Sequence, residues 1–320
     1  MPRLRTLSDL GEGRLIDRIA RAAGRLDRSG VVLGIGDDAA ILRLRAREDW
    51  VTSTDATVEN VHFRWSEQAA SSVGRRALVS NLSDLAAMGA RPLGFTLALA
   101  APPDLALDRF DGLVRGLVRE ARTHGCAWVG GNLARADQTS LVISIFGAVP
   151  RGRFLPRKGL RSGDRLFVTG SLGAASLARA AYESAGRRIR HVPVPRLAAG
   201  RALLGLPGFA ACIDISDGLL SDLGHLLEGG ALGAALDSDR LPLPRGFGAR
   251  CRALGADPLA LALAGGEDYE LLFGLRRRAA AGFSAAALTR RLGVAVTEIG
   301  EVTSTPGVTG VPKVASFLHY

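Results

Sequence analysis

The chain has 320 residues, which is enough for two domains of ordinary size, each with its own hydrophobic core. Hydrophobic residues make up 47% of the chain and aromatic residues only 5%, so we expect cores of Ala, Leu and Val in a mixed α/β fold. The formal net charge of +10 is spread along the chain without interleaved aromatic residues, and no apolar run reaches the length of a membrane span, so neither nucleic acid nor a membrane is an expected partner.

The few lysines and cysteines narrow the possible chemistry further. Lys158 and Lys313 are the only lysines, and the chain has neither a G-x-x-x-x-G-K-[ST] phosphate loop nor the lysine-bearing strand of protein kinases. Cys126, Cys212 and Cys251 show no paired or metal-type spacing, which predicts free thiols. Because the beginning of the sequence also lacks an apolar signal segment, we expect a cytoplasmic protein.

In the first part of the chain, acidic and hydroxyl residues follow predicted strands. One strand is predicted over 31–36 and ends in a glycine turn, and a second is predicted over 50–55. Oxygen atoms of carboxylates and hydroxyls are the ligands that Mg²⁺ prefers. The candidate ligands at these two strand ends are Asp38, Ser53, Thr54 and Asp55.

Residues 71–89 are predicted to form a helix whose apolar stripe carries a carboxylate. The stripe consists of Val73, Ala77, Asp84 and Met88, with Asn81 beside them. A carboxylate on a buried stripe loses hydration that only a cation, a set of hydrogen-bond donors or a proton can replace. Asp84 is therefore either a hydrogen-bonded structural residue or a metal ligand.

The middle of the chain continues the alternation of strands and helices. A short strand over 126–129 is predicted to run into a Gly130-Gly131-Asn132 turn, where backbone N–H groups could approach a phosphate. The basic, Pro- and Gly-containing stretch 150–163 indicates a domain boundary. We therefore predict an N-terminal domain over 1–152 and a C-terminal domain over 153–320. The run from Gly170 to Ala175 is predicted to turn from a strand into a helix, whose N-terminus is suited to anions.

The second half carries two acidic clusters next to predicted strands. The first, Asp214 to Asp222, follows a strand over 210–215, and helix capping accounts for only one of its three aspartates. The second contains Glu267, Asp268 and Glu270 at the beginning of an apolar strand. Acids on several separate stretches, mostly at strand ends, are what a phosphate site with more than one Mg²⁺ requires.

Six runs in this order resemble thiamine-monophosphate kinase and together cover most of the chain: GIGDDAAIL, STDATVENVHF, NLSDLAAMGARP, SGDRLFVTGSLGAA, DISDGLLSDLGH and LAGGEDYELLF. The resemblance places the chain in the superfamily of aminoimidazole ribonucleotide synthetase. It implies an N-terminal α/β domain that binds ATP and Mg²⁺ and dimerises through its sheet. It also implies a C-terminal mixed α/β domain that completes the ATP and substrate site.

The resemblance also implies an activity and roles for individual residues. The reaction is the ATP-dependent phosphorylation of thiamine phosphate to thiamine diphosphate in a homodimer. The implied Mg²⁺ ligands are Asp38, Ser53, Thr54, Asp55, Asp84, Asp214 and Asp217, of which Asp84, Asp55 and Asp217 would be central to catalysis. The implied ATP contacts are Gly131, Asn132, Arg157 and Ser216. The implied contacts to thiamine phosphate are His62 and Glu267, with Phe317 or Tyr320 stacking on its rings.

Two departures from the family pattern leave alternatives open. Asn132 stands where the family usually has an aspartate, and no tryptophan lies in the tail. One alternative is another ATP-dependent member of the superfamily, such as a selenophosphate synthetase or a hydrogenase-maturation protein, although the reactive N-terminal Cys of the former is absent. The other is a non-catalytic nucleotide- or thiamine-binding paralogue, which the neutral Asn132 would fit.

Overall fold

The computed structural model describes residues 5–24, 30–35, 39–227, 232–312 and 314, and it divides the chain into two units. The first unit comprises 1–85, 91–152 and 187–192, and the second comprises 86–90, 153–186 and 193–320. Over the described residues, none of the helices combines the length and the apolar composition needed to cross a membrane. All three cysteines are free and buried, which confirms the prediction of free thiols.

The first unit contains a four-stranded sheet and a separate two-stranded ribbon. Its strands are β1 (Val31–Leu33), β2 (Ile41–Leu42), β3 (Glu48–Val58), β4 (Arg91–Ala101), β5 (Ala127–Arg135) and β6 (Ser140–Pro150). Its helices are α1 (Glu12–Ala23), α2 (Ala70–Ala87) and α3 (Leu107–His124), with a short 3-10 helix at Leu7–Asp9. The main sheet has the order β3-β6-β4-β5, in which only β4 and β5 run parallel. The ribbon pairs β1 with β2.

Helix α2 packs on one face of this sheet and closely against α3. On the sheet, a Cβ added to Gly147 would lie 2.9 Å from Leu85 of α2. Between the helices, a Cβ on Gly116 of α3 would lie 2.1 Å from the carbonyl oxygen of Ser71. The glycine is therefore required by close approach of the two backbones. The observed bounds of α2 confirm the helix predicted over 71–89 and fix the position of Asp84 on a rigid element.

The sequence prediction was wrong about Gly130, Gly131 and Asn132, which lie within β5 and not in a turn. A bulge at Val129 shifts the register between β4 and β5, so that Gly131 pairs with Leu97. A Cβ on Gly131 would lie 2.0 Å from the Leu97 carbonyl oxygen. The glycine pair thus permits two strands to approach each other, and the chain continues straight into the second half of β5.

The second unit contains a six-stranded sheet with the order β12-β9-β11-β7-β10-β8, in which only β12 and β9 run parallel. Its strands are β7 (Arg165–Thr169), β8 (Phe209–Asp214), β9 (Gly233–Leu236), β10 (Leu271–Leu275), β11 (Val296–Thr303) and β12 (Gly307–Thr309). Its helices are α4 (Ala174–Ala185), α5 (Leu197–Leu203), α6 (Leu219–Leu227), α7 (Phe247–Ala253), α8 (Pro258–Ala264), α9 (Arg277–Ala280) and α10 (Ala285–Leu292), with a 3-10 helix at Ser238–Arg240.

The core of the second unit lies between helices and the central strands. Strands β7 and β10 are almost entirely buried, and their residues Leu166, Val168 and Leu272 join one apolar cluster with Leu219 and Leu223 of α6. Burial on both faces explains the continuous apolar runs in these strands. The polar turns at the ends of β8 and β10 are thereby held against a rigid base.

Candidate functional site

In the first unit, β3 and α2 bring one carboxylate and one hydroxyl together. The Ser53 hydroxyl donates to Asp84 Oδ2 at 2.5 Å, and Asp84 is half-buried. Asp55 lies two residues further along the same face of β3, where it is exposed and accepts from the N–H of Ala56 at 2.7 Å. The sequence-predicted residues Ser53, Asp55 and Asp84 therefore occupy one side of the sheet and present oxygen atoms.

Thr54 and Asn132 lie on the opposite face of the same sheet. The Thr54 hydroxyl donates to Ser144 Oγ at 3.0 Å, and the register Ala56–Val142–Ala98–Asn132 places Asn132 on this second face. Since β3 and β5 are the two edges of the sheet, three strand spacings or about 14 Å separate them. Within one chain, Asn132 and the Ser53–Asp84 pair therefore cannot ligate the same ion.

Asn132 instead lines a pocket of about 640 Å³ beside β5. The pocket is lined by α1, by β4 and β5 and by residues near the β1–β2 ribbon, and it includes Gly130, Gly131 and Trp128. The Trp128 indole stacks on Phe95 and donates to the Gly130 carbonyl oxygen at 3.0 Å, which fixes the wall of the pocket. Its size and mixed lining suit a small organic ligand with polar groups.

Asn81 supports a cation near the α2 helix on independent grounds. Its side chain is 1% exposed, and its amide nitrogen donates to the Ala77 carbonyl oxygen at 2.9 Å. Its amide oxygen has no hydrogen-bond partner among the described residues. A buried amide oxygen without a donor is costly unless a cation or a water molecule supplies the interaction.

Some of the remaining predicted site residues lie in the described part of the chain and others do not. His62 is half-buried, and its Nδ1 accepts from the N–H of Val58 at 3.1 Å, so this nitrogen closes a turn after β3. Arg157 is exposed on the segment between β6 and β7. Asp38, Phe317 and Tyr320 lie outside the described residues, so their predicted roles stay predictions.

In the second unit, the turn between β8 and α6 concentrates three aspartates. Asp214 ends β8, and Asp217 precedes α6, as the sequence predicted. Asp222, 2% exposed on α6, accepts from the N–H groups of Ser216 and Asp217 at 3.0 and 3.1 Å. Possible ligand atoms of Asp217, Asp222 and His225 lie within 4.8 Å of one another.

The electrostatics of this cluster favour a cation. Burial and the negative charges of Asp214 and Asp217 raise the pKa of Asp222 to about 7, against the effect of its two N–H donors. A divalent cation would lower this pKa again by offsetting the carboxylate charges. Sequence reasoning did not assign Asp222 or His225 to the site, although their separation of three residues on a predicted helix was a usable signal.

The segment between α8 and β10 places Glu267 beside this turn. The N–H of Glu267 donates to the Ser216 carbonyl oxygen at 2.7 Å, and its carboxylate lies 3.8 Å from Arg179 of α4. The N-terminus of α4, suggested from the sequence as an anion site, is instead occupied by Asp268, whose Oδ2 accepts from the N–H of Gly173 at 2.7 Å. That suggestion was wrong because a carboxylate of the same chain already satisfies these donors.

Comparisons with known proteins agree with this architecture. The model of the AIR synthase related protein N-terminal domain matches residues 36–149, and that of the C-terminal domain matches residues 161–313. The chain is therefore an AIR synthase related protein of two domains. The E. coli HypE hydrogenase maturation protein, at 23% identity and a TM-score of 0.76, shares the fold.

More similar relatives narrow the class. Thiamine-monophosphate kinase of Escherichia coli K12 is 38% identical over 91% of this chain and 89% of its own length. That of Mycobacterium tuberculosis is 37% identical over 83% of this chain and 81% of its own length. The crystal structure of the Stenotrophomonas maltophilia K279a enzyme is 34% identical, with a TM-score of 0.80 and coverage of 96% and 97%. The chain belongs to the thiamine-monophosphate kinase family.

Proposed function

We propose that this chain transfers the γ-phosphoryl group of ATP to thiamine phosphate, giving thiamine diphosphate and ADP. The observation that carries the proposal is the pairing of Asp84 with Ser53 in a member of this kinase family. A structure of AaThiL complexed with AMPPCP and TMP, 27% identical with a TM-score of 0.72, supports both substrates. The substrate phosphate is already an anionic nucleophile, so the site needs no strong base.

Mg²⁺ is the cofactor that the donor sets fit best, because carboxylate, hydroxyl and amide oxygens predominate in them. The residues that would hold it are Asp38, Ser53, Asp55, Asp84, Asp214 and Asp217. Thr54, also predicted as a ligand, does not join them, because its hydroxyl lies on the opposite face of the sheet, where it donates to Ser144. When bound, Mg²⁺ neutralises phosphate charge and aligns the two phosphates. Two observations support this choice. A cation would supply the missing partner of the buried Asn81 amide oxygen, and a cation near Asp222 would lower the raised pKa of that carboxyl group.

The chain's own residues bind and orient the two substrates. Gly131 and Asn132 on the pocket wall, together with Arg157 and Ser216, are proposed to contact ATP. His62 and Glu267 are proposed to contact thiamine phosphate, and the negative Glu267 suits its positively charged thiazolium ring. Catalysis then rests on positioning and charge neutralisation, which accounts for a site without a catalytic lysine.

We propose that residues 1–152 form the ATP- and Mg²⁺-binding domain and that residues 153–320 complete the site. We also propose a homodimer formed through the face of the first-unit sheet opposite α2. On that face Trp50 is 43% exposed and packs on Phe146 with ring centroids 5.3 Å apart. An exposed tryptophan on a sheet face is typical of a protein interface.

An ADP-release assay with thiamine phosphate, thiamine or no acceptor tests the proposed activity. We expect Mg²⁺-dependent release with thiamine phosphate alone, and thiamine diphosphate as the product in chromatography. Equal turnover with thiamine would contradict the assigned acceptor. Binding of both substrates without any turnover would instead favour the non-catalytic paralogue that Asn132 suggests.

A further inference from the structure

The segment that carries Glu267 has an unusual backbone. Residues 265–270 connect α8 to β10 without regular secondary structure, and Glu267 and Tyr269 have φ angles of 65° and 51°. Non-glycine residues rarely adopt positive φ, and two at alternate positions require strong support from their surroundings. Interactions with neighbouring elements must therefore hold this conformation.

Backbone hydrogen bonds attach the segment to the β8–α6 turn. The N–H groups of Glu267 and Tyr269 donate to the carbonyl oxygens of Ser216 and Ile215 at 2.7 and 2.8 Å. The N–H of Ile215 donates in turn to the Glu270 carbonyl oxygen at 2.8 Å. Both positive-φ residues thus aim their N–H groups at the turn that presents Asp217.

The two other acids of the segment anchor it from the opposite side. Asp268, 5% exposed, accepts from the N-terminus of α4. Glu270, 3% exposed, accepts from the Thr169 hydroxyl at 2.7 Å and from Arg196 Nε and a terminal nitrogen at 2.6 and 2.5 Å. Bidentate, charge-assisted bonds of this kind fix orientation as well as position.

The chain is shaped around these anchors. A Cβ on Gly170 would lie 1.8 Å from the Glu270 carboxylate, so the loop after β7 must have glycine there to admit it. Glu267 alone among the three acids leaves its carboxylate half-buried beside Arg179 and accessible to a ligand. Three acids close together in the sequence therefore divide into two anchors and one displayed group.

We infer that Asp268 and Glu270 are positioning residues, which hold the backbone at Glu267 in its positive-φ conformation and so aim its carboxylate at thiamine phosphate. This inference rests on the proposed function, in which Glu267 contacts that substrate. Loosening either anchor then weakens thiamine phosphate binding through Glu267, while ATP binding is retained.

A double-mutant cycle tests the inference. Asp268→Ala, which removes the acceptor, and Glu270→Gln are made in the wild-type and Glu267→Gln backgrounds, and KM is measured separately for thiamine phosphate and ATP. In the wild-type background we expect about a tenfold rise in KM for thiamine phosphate with less than about a twofold change for ATP. In the Glu267→Gln background the same replacements should change KM less than about twofold, because the group they position is gone.

Control variants separate positioning from general destabilisation. Ser284→Ala removes the cap of α10, a comparable loss of one acceptor in the same unit, and should leave both KM values unchanged. If an anchor variant fails to fold, Arg196→Lys serves in its place, since lysine keeps the charge but cannot bond both oxygens of Glu270.

Each possible result has a distinct meaning. Equal losses in both backgrounds, or equal changes in the two KM values, would overturn the positioning role while leaving the proposed function intact. A folded wild type without turnover of thiamine phosphate would overturn the proposed function and this inference with it.

Discussion

Replacing Asp222 by asparagine should change the pH dependence of stability in a direction that the structure fixes. Its folded pKa of about 7 lies above the ordinary aspartate value of 3.8, because burial and the charges of Asp214 and Asp217 disfavour ionisation. A carboxyl group with a raised pKa binds more protons in the folded state than in the unfolded state. Without metal, its contribution to stability is therefore full below pH 4 and is lost as the pH rises to about 7.

The magnitude follows from linkage. One group loses up to about 1.4 kcal/mol per pH unit, so about three units correspond to on the order of 4 kcal/mol for metal-free protein. An asparagine side chain at this position stays neutral and can still accept from the N–H groups of Ser216 and Asp217, at a cost of about 1 kcal/mol for the weaker bonds. At pH 8 in EDTA, the free energy of unfolding of Asp222→Asn should thus exceed that of wild type by a few kcal/mol. Each kcal/mol corresponds to a rise in Tm of about 2–4 °C.

Thermal unfolding from pH 5 to 8, with EDTA or with Mg²⁺, measures this effect. Wild type should regain stability at pH 8 with Mg²⁺, about 2.7 kcal/mol at 100 times Kd, and Asp222→Asn should regain less. Burial also raises the pKa of Asp268 to about 7, so part of the decline in stability with rising pH should persist in Asp222→Asn. The exposed Asp239→Asn is the control. Parallel wild-type and Asp222→Asn curves in EDTA would refute this electrostatic reasoning.

Three further predictions concern the first unit. Asp84→Asn should lower turnover by about a thousandfold or more while unfolding stays cooperative, because one ligand charge is worth on the order of 4 kcal/mol. Near wild-type turnover at saturating Mg²⁺ would contradict this. Asp104→Asn, at an exposed position, is the control. Asn132→Asp should lower the Mg²⁺ concentration for half-maximal activity, since a negatively charged carboxylate would then line the pocket and attract the cation. An unchanged midpoint of the Mg²⁺ titration would place residue 132 outside the set of metal ligands. Trp50→Arg should shift a dimer towards monomer in light scattering, whereas an unchanged mass would exclude this face as the interface.

The sequence predicted regular elements well and special backbone positions poorly. Helix α2 follows from 3.6-residue periodicity, and its observed bounds agree with the prediction within two residues. Gly130 and Gly131 suggested a turn, yet glycine also occurs where backbones approach closely, and here Gly131 faces the Leu97 carbonyl oxygen. Local sequence cannot distinguish these two uses, because the second depends on a strand that lies much earlier in the chain.

The same distinction between regular elements and special backbone positions applies to the candidate site. Asp84 lies on a helix, so helical spacing alone indicated the direction of its side chain. The prediction for the strand took Ser53, Thr54 and Asp55 together, although strand alternation places Thr54 on the opposite face. Glu267, Asp268 and Glu270 lie on a segment with no period, and their directions depend on partners such as Thr169 and Arg196, far away in the sequence.

This division has a consequence for mutational tolerance. In the first unit, the oxygen ligands are supported by regular elements, so function should be lost mainly where a ligand itself is changed. In the second unit, the displayed Glu267 depends on buried hydrogen bonds made by residues that contact no substrate. Replacing such an anchor leaves every proposed ligand in place and still moves one of them. We therefore expect inactivating substitutions in the second unit to extend beyond the ligand set, to Asp268, Glu270 and Arg196.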